Sequence, residues 1–145
     1  MKLILALLFF SVSCLPRVYR TEHPVLVVDH LGGLKQQHVE SVIKAVVGSD
    51  MCTKSEIRGV AIENKFGLPV DAVGNGVCGN HHFGLVNVFN SRWCLRPCRT
   101  LVHEFAHHCR WKKTGNPDAS HKDKEYWGED GFVNRIWSEI KDVCF

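Results

Sequence analysis

Residues 103–107 read His-Glu-Phe-Ala-His, the group in this chain best suited to chemistry. In an α-helix, with about 3.6 residues per turn, His103 and His107 project from the same side one turn apart. Two imidazoles placed that way can share one zinc ion at about 2.0–2.1 Å each. Glu104 is rotated about 100° from His103, so it stands beside the ligands, where it can take a proton from a metal-held water. Leu101, Val102, Phe105 and Cys109 fall roughly on the opposite side and give the helix an apolar back to bury. A solvated, His-rich helix face is the bland alternative, and that apolar back argues against it.

Catalytic zinc usually has three protein ligands and one open position. His121 is the leading candidate for the third, because Gly115 and Pro117 in the intervening loop can turn the chain back over the histidine side of the helix. Glu125 or Glu129 come next, then Asp118 or Asp123. Asp123 could instead orient the His121 ring. The remaining histidines read as structural: His81-His82 as surface or turn residues, His108 as a packing residue on the core side. Cys94 and Cys98 read as disulfide partners before half of a second metal site.

The elements that must hold these residues follow from hydropathy patterning. Pro24 to Val28 is a short β-rich run ended by Gly32-Gly33. From Leu34 to Val47, the residues Val39, Val42, Ile43, Val46 and Val47 mark one face of a helix closed by Gly48. Residues 57–66 alternate weakly and predict a strand; the Gly-rich stretch 67–82 predicts a loop; residues 84–89 predict another strand. Pro97 opens a helix over about 98–112, a polar loop covers 113–124, and 132–143 predicts a last helix. The order is β-α-β-loop-β-α-loop-α, an α+β fold: a short mixed sheet packed on the active-site helix and two further helices.

The chain has 145 residues, 45% of them hydrophobic, 23% charged, with a net charge of +3. That is one globular domain, and its scattered basic residues predict no nucleic-acid partner. Residues 1–13 have the anatomy of a signal peptide: Lys2, an apolar run from Leu3 to Phe10, then Ser11-Val12-Ser13. The run is about half of the ~20 residues needed to span a membrane. Residues 14–145 are then a single exported domain, secreted or periplasmic, with a membrane link only if Cys14 is lipidated. Of the seven cysteines, Cys14 apart, Cys52, Cys78, Cys94, Cys98, Cys109 and Cys144 remain, an even set that predicts up to three disulfides without fixing their pairing.

Thr100-Leu-Val-His-Glu-Phe-Ala-His-His108 resembles the active-site helix of zincin metallopeptidases. With His121 and the Tyr126-Trp127 pair after it, the match over residues 84–127 is similar to the SprT-like and WLM-type group. The leader and cysteines point to an exported relative. The resemblance implies a zinc-dependent metalloendopeptidase with His103, His107 and His121 on Zn²⁺ and Glu104 as general base. It also implies a protein or peptide substrate lying along the strand at 84–89, and gives Tyr126 either an oxyanion-binding role or a place in the core. The competing reading is an exported, disulfide-stapled metal-binding or interaction protein with a non-catalytic zincin-like fold.

Overall fold

The computed structural model describes residues 15–67, 77–90, 94 and 96–144; the leader at 1–13 and Cys14 lie outside them. The elements run β1 (Arg17–Arg20), β2 (Leu26–Asp29), α1 (Gln36–Gly48), α2 (Lys54–Ile57), β3 (Ala61–Phe66), β4 (Gly79–His82), β5 (Leu85–Asn90), α3 (Pro97–Thr114), α4 (Lys124–Trp127) and α5 (Phe132–Ile140). They form a mixed sheet of order β1-β2-β3-β5-β4. Its centre, β2-β3-β5, is parallel, and the outer strands β1 and β4 run antiparallel to their neighbours. The fold is α+β, as the pattern of elements predicts.

α1 buries Val39, Val42, Ile43, Ala45 and Val46, the face its periodicity marks. α3 opens with Pro97 in its first turn and ends where Gly115, at φ 74°, takes the left-handed conformation that glycine tolerates best. Leu101, Val102, Phe105, Ala106 and Cys109 on its back are fully enclosed. α3 packs on β4 and β5, with α1 and α5 against the same helix. Each large apolar side chain buried this way contributes about 1.5–3 kcal/mol. Among the described residues, no helix is long and apolar enough to cross a membrane.

Among the differences from the sequence reading, one strand starts later than expected and two strands are added. The strand expected from residue 57 begins at Ala61, because Thr53 and Glu56 form a capping box that starts the short helix α2. Gly79–His82, expected in a loop, is β4. A two-residue turn at Phe83 (φ 44°) and Gly84 (φ 89°) folds it back onto β5, with Gly79 opposite Val88 and His82 opposite Leu85. β1 adds an edge strand whose Arg-Val-Tyr-Arg sequence carries no strong apolar signal.

The six cysteines pair as Cys52–Cys109, Cys78–Cys94 and Cys98–Cys144. Every bridge has one end on α3 or just before it. Cys94 and Cys98 have different partners, so the idea of a second metal site there falls. The bridges staple the histidine-bearing helix to the chain after α1, to the entrance of β4 and to the C-terminal segment.

Candidate metal centre

α3 holds His103 and His107 one turn apart, with their Nε2 atoms 3.2 Å from each other. His121 Nε2 lies 3.1 Å from both. These separations are close to the ~3.3 Å between two ligands of a tetrahedral zinc bound at ~2.05 Å. Hydrogen bonding alone does not account for them. His107 Nδ1 lies 2.7 Å from the Pro117 carbonyl, which can only accept, so Nδ1 carries the proton and Nε2 of the neutral ring is a bare lone pair. With one of the three atoms lacking hydrogen, neutral rings can satisfy at most two of the three contacts. A single cation satisfies all three, and the cluster could hold a metal ion.

Burial favours the neutral, ligand form of the His103 and His107 rings. It pushes His103 down to about 4, helped by the neighbouring His107, His121 and Arg99. His107 is lowered chiefly by burial too, although its bond to the Pro117 carbonyl acts in the opposite direction. Both are therefore neutral at pH 7.

The loop after α3 brings His121 in, and Asp118 organises that loop. Its carboxylate accepts from the Asp123 backbone N–H at 2.7 Å, from Trp127 Nε1 at 3.0 Å and from Ser120 Oγ at 3.1 Å. The Asp123 amide, first among these contacts, holds the Asp118 carboxyl below its usual range. Asp118 and His121 both have φ 55°, the left-handed region, so two non-glycine residues turn the chain here. The Asp118 carbonyl also accepts from the His121 N–H at 2.9 Å.

Among the alternatives for the third ligand, only His121 joins the cluster. Glu125 and Glu129 are exposed. Asp118 is engaged in its loop. Asp123 does not serve the His121 ring: one oxygen accepts from Arg110 Nε at 2.7 Å and the other caps α4 through the Glu125 N–H. Of the two places open to Tyr126, the structure gives it the one in the core. It is 3% exposed within the hydrophobic core, with its ring 6.0 Å from Phe132. Trp127 lies against the imidazoles instead, with ring centroids 4.8 Å from His103 and 4.4 Å from both His107 and His121. The sequence holds Trp127 only as part of an aromatic pair; its hydrogen bond to Asp118 is what aims it.

Glu104 is 4% exposed, and loss of water around the carboxyl pushes it up to about 8. With His103 it lines a cleft of about 530 Å³ whose other walls include Val77, Cys78, Gly79, Arg96, Arg99 and Thr100. The strand at this cleft is β4. β5, expected to receive a substrate, is internal to the sheet between β3 and β4, so its hydrogen-bonding edges are occupied. The outer edge of β4 has no partner strand among the described residues.

His108 and His81 pack together apart from the triangle. His108 is fully enclosed, its Nε2 2.7 Å from the Glu56 carbonyl and its Nδ1 3.1 Å from His81 Nε2. Nε2–H donates to that carbonyl, which leaves Nδ1 as the acceptor nitrogen of the ring. The chain matches no family model, no curated protein and no solved structure.

Proposed function

We propose that this chain is an exported zinc metalloendopeptidase of zincin type, with His103, His107 and His121 as the zinc ligands. The observation that carries the reading is the triangle of Nε2 atoms at 3.1–3.2 Å beside a buried Glu104 in an open cleft. A purely structural zinc site is usually closed by four protein ligands; three imidazoles leave a position for water and substrate. The donor set also favours zinc, since imidazole suits it better than it suits magnesium or calcium.

Zinc held there would acidify a coordinated water and polarise the scissile carbonyl. Glu104 accepts a proton from the attacking water and later hands it to the leaving amine. Its burial keeps bulk water away from the proton it would carry. The open edge of β4 offers backbone N–H and C=O groups to an extended peptide, which would add as a further strand. Three disulfides and a leader-like N-terminus support an extracellular or periplasmic setting.

The test compares the mature chain with Glu104→Gln for zinc content and for cleavage of a generic peptide mixture. The amide keeps the shape but cannot accept the proton, so zinc should stay and hydrolysis should fall by at least about 10²-fold. Equal hydrolysis by the two proteins would remove Glu104 from the mechanism. A zinc-loaded wild type that cleaves nothing would favour the non-catalytic metal-binding reading.

A further inference from the structure

The wall of the cleft on the approach to His103 is basic. Arg99, Thr100, His103 and Glu104 lie along one side of α3, Arg96 is the residue at its N-terminal cap, and all five line the cleft. Arg96 and Arg99 are exposed, and neither is in an ion pair among the described residues. The Arg99 guanidinium lies over the Trp137 ring at 5.9 Å. Such stacking uses the face of the guanidinium and leaves its edge donors to a planar acceptor.

Among the described residues, nothing in the lining balances this charge. The one carboxyl among them, Glu104, is buried and turned to the proposed chemistry, and the wall also includes Val77, Cys78 and Gly79. Along the helix axis, at about 1.5 Å per residue, Arg99 stands ~6 Å and Arg96 ~10 Å from His103. An extended peptide advances about 3.3 Å per residue, so these distances correspond to about two and three residues of substrate.

We propose that Arg96 and Arg99 form a subsite for a peptide carboxylate about two to three residues from the bond presented to His103 and Glu104. The cleavage half of this inference rests on the peptidase reading; the binding half does not. The carboxylate can belong to an Asp or Glu side chain or to the C-terminus of the substrate, and free versus amidated C-termini separate the two.

The test uses neutral fluorogenic peptides in which one Glu, or its Gln counterpart, is moved through the positions on both sides of the bond, each with free and amidated C-termini. For the wild type, Glu at one position, or the free C-terminus at a fixed distance, should raise kcat/KM by about tenfold, as expected for a charge-assisted contact. The double variant Arg96→Gln/Arg99→Gln should lose that preference, cleaving the Glu and Gln peptides with equal kcat/KM. Arg99→Glu should favour Lys over Glu at the same position, an inversion that a merely structural arginine would not give.

The same peptides are bound, uncleaved, to Glu104→Gln and followed by fluorescence anisotropy. There the acidic peptide should bind about tenfold tighter than its Gln twin, and added Arg96→Gln/Arg99→Gln should abolish the difference. Acidic preference in binding with no cleavage by the wild type would leave the subsite standing and remove the peptidase reading. Equal binding of Glu and Gln peptides with both C-termini, or a preference that survives loss of both arginines, would overturn the subsite.

Discussion

Gly79 of β4 sits directly against the Glu104 carboxyl of α3. A Cβ built on Gly79 would lie 2.8 Å from Glu104 Oε1, 2.6 Å from Thr100 Cγ2 and 2.9 Å from the Asn87 carbonyl oxygen. The first two neighbours are side chains, but the third is the backbone of the adjoining strand and cannot turn aside. The absent side chain is therefore what lets the edge strand close onto the helix face that carries His103 and Glu104.

Gly79→Ala should push β4 away from α3 and displace the Glu104 carboxyl. Displacements of about 1 Å can cost 10²-fold in rate, so kcat/KM should fall by about that factor while zinc content stays at the wild-type level. Overpacking of this kind also costs about 1–3 kcal/mol of stability, readable in denaturant unfolding. Unchanged hydrolysis by a folded Gly79→Ala protein would show that the close approach has no part in activity.

Asp118→Asn tests the loop that delivers His121. The amide retains a single acceptor oxygen where the carboxylate serves Asp123, Trp127 and Ser120. Zinc affinity should drop by about 10–100-fold, the usual cost of losing support behind a ligand. The pH dependence has a definite sign. The Asp118 carboxyl is held below its ordinary value, so its contribution is fully present above about pH 4 and fades as pH falls further. The Tm difference between wild type and variant should thus be constant above about pH 4 and close below it. A difference that widens in acid would contradict the assignment.

Trp127 should report on the centre, since its ring lies 4.4–4.8 Å from all three imidazoles. Zinc titrated into the stripped protein should change tryptophan fluorescence at one equivalent. Trp127→Phe should remove most of that change although the other three of the four tryptophans remain. A signal that survives the substitution would place the metal elsewhere.

The three bridges should each contribute about 2–4 kcal/mol, because they close loops in the unfolded chain. Cys52→Ser/Cys109→Ser removes the longest closure, 57 residues, and Cys78→Ser/Cys94→Ser the shortest, 16 residues. The first pair should cost more stability. The second should cost more activity, since it ties the entrance of β4 to the entrance of α3. Thiol titration of the denatured, unreduced mature chain should find none of these six cysteines free; six free thiols would contradict the pairing and the exported setting together.

The legible parts of the fold were those with a strong period. Val39, Val42, Ile43 and Val46 mark α1 by 3.6-residue spacing, and the same spacing gives α3 its histidine front and apolar back. β4 has no such signal. Gly-Asn-His-His contains no typical strand residue, and it is a strand because the Phe83-Gly84 turn lays it on β5. The disulfide pairing was equally hidden, since each bridge depends on where α3 finally packs. In the site, the two-histidine motif is local and readable, and His121 follows from the turn-forming Gly115 and Pro117. Tyr126 and Trp127 could not be sorted in advance. They are adjacent on the single-turn helix α4, where neighbours project about 100° apart, and only the Asp118 bond decides that the indole faces the imidazoles.

The central claim is that His103, His107 and His121 together hold one zinc ion. Its most direct measurement is zinc bound per chain after dialysis, made on the wild type and on single alanine variants of His121, Glu125 and Glu129 whose folding is checked by circular dichroism. One zinc per chain should remain in the wild type and in both glutamate variants, and His121→Ala should lose most of it. A His121→Ala chain that retains one zinc, or a glutamate variant that alone loses it, would contradict the three-histidine centre.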